Sequence, residues 1–92
     1  MSQVRASHIL VKSEKKIKEI AELIEKGKSF EDMARAHSDC PSGVSGGDLS
    51  WFGKGMMVKP FEEAAFKLNV GEISGPVQTQ FGFHLIKVTG KK

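Results

Sequence analysis

Two short apolar segments near the two ends of the chain, residues 4–11 and 83–88, constrain this sequence more than anything else in it. Both alternate as strands do: Val4, Ala6, His8 and Leu10 share one face, and His84, Ile86 and Val88 share one face of the other. A chain of 92 residues has room for a single core, so residues 1–92 read as one domain and its terminal strands are expected to pair. That pairing would bring His8 and His84 together from opposite ends of the sequence. A buried imidazole needs a hydrogen-bond partner, and a second imidazole can serve, one ring donating and the other accepting. Read singly, each histidine is a satisfied core residue. The pair becomes a site only if other chemistry gathers around it.

Between the two segments the punctuation is helical. Ser13 can cap a helix carrying Ile17, Ile20, Ala21, Leu23 and Ile24, and Gly27 can end it. Ser29-Phe30-Glu31-Asp32 has the form of a capping box and starts a second helix with Phe30, Met33 and Ala34 buried. Residues 40–55 are irregular, with a brief strand at residues 49–52. Pro60 suits the first position of a third helix, where its missing N–H is not needed, and Phe61, Ala64, Ala65 and Leu68 follow at helical spacing until Gly71 closes it. Residues 73–79 read as a strand, at an edge because Pro76 cannot donate to a central ladder. A turn at Gln80-Phe81-Gly82 leads into the last strand. The order β-α-α-β-α-β-β predicts an α+β fold, a small and mainly antiparallel sheet with helices packed on it.

Composition excludes several classes. With 39% hydrophobic and 27% charged residues the chain is an ordinary globular one, and no apolar run is long enough to span a bilayer. The start lacks the apolar region of a signal peptide, and the single cysteine, Cys40, forms no internal disulfide, so a cytoplasmic location is expected. The net charge of +3 is spread among mixed signs, with only Lys87, Lys91 and Lys92 hinting at a patch, which argues against nucleic acid as a partner.

His8, His37, Cys40 and His84 lack the spacing of a metal site, and Gly53-Lys54-Gly55 lacks the pattern of a phosphate loop; no metal and no cofactor is expected. Cys40 is either a small buried hydrophobe or a thiol sharing a hydrogen bond with an imidazole. Met57 and Phe61, four residues apart, are either core or an adaptable apolar cup that Leu49, Phe52 and Phe81 could complete.

Five motifs taken together go further. Ser7-His8-Ile9-Leu10-Val11-Lys12, His37-Ser38-Asp39-Cys40, Gly47-Asp48-Leu49 with Phe52, Gly55-x-Met57-x-x-Pro60-Phe61-Glu62, and Gly75-Pro76-Val77-x-Thr79-x-x-Gly82-x-His84 resemble the parvulin peptidyl-prolyl isomerases in order and spacing. The resemblance runs from about residue 7 to residue 88. It implies a four-stranded antiparallel sheet surrounded by helices, similar to the FKBP architecture, in a single-domain form that acts as a monomer. It also implies roles: His8 and His84 as paired histidines, Cys40 and Thr79 in their hydrogen-bond network, and Leu49, Met57, Phe61 and Phe81 as the proline pocket, with Phe52 lining or supporting it. The partners it implies are proline-containing peptides and unfolded or native protein clients, and the activity is assistance to folding.

Prolyl rotation needs no covalent step, and parvulin-like domains also carry Asp where Cys40 stands, so a noncovalent role for Cys40 is favoured. Some parvulins read a phosphate before proline through an arginine-rich loop after the first strand. Here Lys12-Ser13-Glu14-Lys15-Lys16 runs almost directly into the helix without an arginine, and no strong phospho-Ser/Thr requirement is expected. Lys15, Lys16 and Lys54 leave room for a preference for an acidic residue before proline.

Overall fold

The computed structural model describes residues 2–92. The chain runs β1 (Gln3–Val11), α1 (Glu14–Glu25), α2 (Phe30–His37), a 3-10 turn (Pro41–Ser45), β2 (Asp48–Gly53), α3 (Lys59–Lys67), β3 (Val77–Thr79) and β4 (Gly82–Lys91). All neighbouring strands are antiparallel, in the order β2-β1-β4-β3, so the two terminal strands form the sheet centre as the sequence predicts.

The alternation in β1 and β4 divides the core in two. Ile9, Val11 and Leu85 face α1 and α2 and pack with Ile17, Ile20, Phe30 and Ala34. Val4, Ala6 and Ile86 face the other way and pack with Phe52, Phe61 and Ala65 beneath α3. The helices start where the sequence punctuates: Ser13 Oγ accepts from Lys16 N at 3.2 Å and Ser29 Oγ accepts from Asp32 N at 3.2 Å. Each bond satisfies a donor that the first helical turn leaves free. Gly27, at φ 112°, follows the end of α1. Leu23 departs from the expected set and is exposed, because the spacing 17, 20, 21, 24 already fills the stripe that faces the sheet.

Two boundaries shift. α3 begins at Lys59, one residue before Pro60, and ends at Lys67; Gly71 belongs to the turn that follows. The strand expected over residues 73–79 is a ladder only from Val77 to Thr79, with Ile73 making an isolated bridge to Lys87. Pro76 explains the gap, since it has no N–H to give.

β2 holds a feature the sequence does not announce. Its register against β1 passes from Trp51 opposite Arg5 to Asp48 opposite Ser7, three residues against two. The bulge includes Ser50, left-handed at φ 62°, whose N–H is held by Asp48 Oδ1 at 3.0 Å. Strict alternation would send Leu49 and Phe52 to opposite faces. The extra residue brings both to the α3 side.

Candidate active site

The α3 face of β1 and β4 places His8 and His84 as diagonal neighbours, since His8 lies opposite Ile86 and His84 opposite Leu10. Their Nδ1 atoms are 3.0 Å apart and hydrogen-bonded, with ring planes inclined at 20°. On its far side His84 Nε2 bonds Thr79 Oγ1 at 2.7 Å, and Thr79 Oγ1 accepts the Phe81 amide at 3.1 Å. Two proton arrangements satisfy this chain. Either Thr79 donates to His84 and His84 to His8, or the direction reverses. In both the two rings are neutral, and His8 Nε2, buried, has no partner among the described residues.

Burial enforces that neutrality. Loss of water around His8 is the larger cause, and the neighbouring His84 adds to it, lowering the His8 pKa from 6.5 to about 4. Burial lowers His84 as well. Neither ring carries charge near pH 7.

Above the rings lies a cavity of about 420 Å3, walled by Leu49, Met57, Val58, Phe61 and Phe81, with Cys40 on its margin. Phe61 stands perpendicular to both imidazoles, its centroid 5.5 Å from His8 and 5.3 Å from His84. It sits in the first turn of α3, and Ala65, one turn on, is buried with it. The Cys40 segment is laced to β1 by Asp39 N donating to Leu10 O at 2.7 Å and by Leu10 N donating to Ser38 Oγ at 3.1 Å. On the other side His8 N donates to Gly47 O at 2.9 Å. A Cβ on Gly47 would fall 2.3 Å from His8 O, so only glycine, at φ 88°, lets the chain pass here.

The structure therefore brings together His8, His84, Cys40, Leu49, Met57, Phe61 and Phe81 around one cavity, with Thr79 behind His84. Two expectations need correction, and one alternative is decided. Of lining or supporting the cavity, Phe52 supports: it is 1% exposed and packs behind Phe61, ring centroids 6.1 Å apart. Cys40 does not join the histidine chain; Ser42 Oγ donates to its sulfur at 3.2 Å. Lys54 lies over the Phe66 ring and is not among the residues that wall the cavity. Leu10, Met56 and Val58 line the cavity without having been anticipated. Leu10 was open to inference, being two residues after His8 on one face. Met56 and Val58 sit in an aperiodic loop that carries no such signal.

An apolar cup over a neutral, hydrogen-bonded imidazole pair suits a reaction in which no proton or acyl group need move. Residues 7–90 match the rotamase family, the PPIC-type PPIase domain. The chain belongs to the PPIC-type peptidyl-prolyl isomerases, the parvulins. Foldase protein PrsA of Geobacillus kaustophilus is 56% identical over 91 residues, covering 98% of this chain and 32% of that protein. The peptidylprolyl isomerase PrsA from Bacillus anthracis superposes with a TM-score of 0.96 at 49% identity, over 99% of this chain and 42% of that one. NmPin, the parvulin of Nitrosopumilus maritimus, gives 0.85 at 45% identity and covers 98% of both chains. This parvulin domain thus spans about a third of the length of the curated relatives it matches. No helix among the described residues is long and apolar enough to cross a membrane.

Proposed function

We propose that this parvulin domain accelerates rotation about Xaa-Pro bonds noncovalently, in proline-containing peptides and in protein clients that are folding. The carrying observation is the neutral His8–His84–Thr79 chain directly beneath an apolar cavity. Amide resonance sets a barrier of roughly 18–20 kcal/mol, and unassisted rotation takes tens to hundreds of seconds. Lowering the barrier by about 5 kcal/mol brings the event to tens of milliseconds. Met57, Phe61 and Leu49 grip the ring and strip water from the planar, charge-separated amide. As the amide twists, its carbonyl loses resonance and its nitrogen gains basicity. Fixed dipoles around His8 and Cys40 can favour that state over either planar one.

The connection from β1 to α1 is only Lys12 and Ser13, and Ser13 is occupied in capping α1. That supports the absence of a strong phosphate requirement. We read the domain as a monomer, to be checked by sedimentation, and as a cytoplasmic one, a setting that keeps the Cys40 thiol free.

The test is exchange spectroscopy on a short Xaa-Pro peptide. Accelerated cis–trans exchange is expected; shifted signals without acceleration would make the pocket a binding site and not an enzyme. Cys40→Asp and Cys40→Ala should both keep substantial turnover, and a folded Cys40→Asp protein without any would restore a nucleophile.

A further inference from the structure

The end of the sheet away from the proline pocket carries a second depression. Two adjoining cavities, of about 420 and 320 Å3, share Ser2 and Gln3; Lys54 walls the first, and Phe66, Lys91 and Lys92 wall the second. Among the described residues none of the three lysines forms an ion pair, and in this they resemble most of the chain's lysines. Neutral groups hold them instead. Lys92 Nζ lies 4.6 Å over Trp51, Lys54 Nζ lies 5.6 Å over Phe66, and Lys91 Nζ donates to the Phe66 carbonyl at 3.4 Å. Ammonium groups held in place this way have less rotamer entropy left to lose when an anion arrives.

Phe66 links the groove to the side of the sheet that carries the pocket. α3 sends Phe61 into the pocket and Phe66 into the groove, and Phe52 lies between the two rings, 6.1 and 6.3 Å from them. Along β1, Gln3 precedes His8 by five residues, about 17 Å of extended chain. Lys54 stands two residues before Met56, which is 67% exposed at the pocket. An extended client therefore bridges the two sites with about five residues.

We propose that this groove binds an acidic segment of the client whose proline occupies the pocket. The preferred substrate is then an Xaa-Pro bond with a run of Asp or Glu about five residues away. This rests on the isomerase reading above and adds a second contact to it. Other anionic partners fit less well. Single-stranded nucleic acid needs free aromatic faces to stack on, and Trp51 and Phe66 are covered by lysines. Membrane surfaces are recognised by clusters of roughly four to eight basic residues, more than this groove holds.

The test uses peptides with one Leu-Pro bond and three glutamates centred five residues before or after it, against analogues with glutamine in their place. Exchange spectroscopy gives kcat and KM, and amide shifts of the protein locate the contact. One acidic peptide should show a KM about three- to tenfold below its glutamine analogue at equal kcat, with shifts at Gln3, Lys54 and Lys91. The advantage should vanish in the Lys54→Gln/Lys91→Gln/Lys92→Gln variant, shown to be folded by its amide spectrum, and in high salt. Equal KM values and unshifted groove amides, with turnover intact, would overturn the groove and leave the isomerase standing. Groove shifts without turnover of any peptide would remove the isomerase, and the substrate proposal with it. Tighter binding of a single-stranded oligonucleotide or of phosphatidylserine vesicles than of either peptide would overturn the peptide as occupant.

Discussion

The depressed pKa of His8 makes acid a specific perturbant of this fold. In the native protein the ring protonates near 4, whereas in the unfolded chain it does so near 6.5. Its contribution to stability is complete above pH 6.5 and is lost as pH falls from 6.5 toward 4, because the unfolded state takes up the proton first. At pH 5 the unfolded ring is nearly all charged and the native ring about one-tenth charged, which corresponds to about 2 kcal/mol. His84, lowered by burial, pushes the same way. Asp48 is held down by Arg5 from an ordinary value of 3.8, so its loss falls mainly below pH 5. Urea unfolding at pH 7 and pH 5 should show a midpoint lower by roughly 1–2 M at pH 5. His8→Gln, neutral at both values, should lose about 2 kcal/mol less than wild type between them. Isomerase rate per folded molecule should fall far less than stability over the same interval, since the native His8 ring stays mostly neutral. An equal pH dependence in the His8→Gln protein, or an NMR titration of His8 with a midpoint near 6.5, would refute the reasoning.

Met57→Ala should raise KM for a short prolyl peptide with a small cost in stability, because Met57 lines the cavity at the rim of the core; an unchanged KM by exchange spectroscopy would remove it from the pocket. Phe61 behaves differently. It is 2% exposed and belongs to the core, so Phe61→Ala should cost about 3–5 kcal/mol in urea unfolding as well as turnover. Thr79→Val should lower kcat with KM nearly unchanged and cost about 1 kcal/mol of stability, since it unties His84 without touching the cup. Gly47→Ala should cost about 3 kcal/mol or more, against about 1 kcal/mol for Gly55→Ala, whose added Cβ meets open space at a similar φ.

Much of the layout was legible because it rests on local rules. Period-two alternation put His8 and His84 on faces that could meet, and the seryl caps located α1 and α2. The motifs picked out most of the residues that wall the cavity. What stayed hidden depends on context. The bulge at Ser50 obeys no composition signal, yet it determines that Leu49 and Phe52 share a face, and depth beneath α3 then decides that Phe52 supports while Leu49 lines. Whether Phe61 was core or cup stayed open because position along a helix does not state how deep the residue lies, and the structure makes it both. Cys40 was expected among the histidines, but Ser42, two residues on, reaches its sulfur through the tight turn between them. Side-chain partners across a 3-10 turn follow from the turn's shape, and residue type alone does not give that shape.

The bond between His8 and His84 joins residues 76 apart in sequence. It can form only when β1 and β4 have paired in one register, since a slip of one residue would leave the two rings on opposite faces of the sheet. Contacts of such long range carry the largest loop-closure cost and tend to form late. The site is therefore among the last parts of the domain to exist, and a partly folded chain holds neither the imidazole pair nor the cup above it. The domain thus becomes competent only once its own most distant pairing is complete, so recovery of activity during refolding reports directly on closure of the central strands.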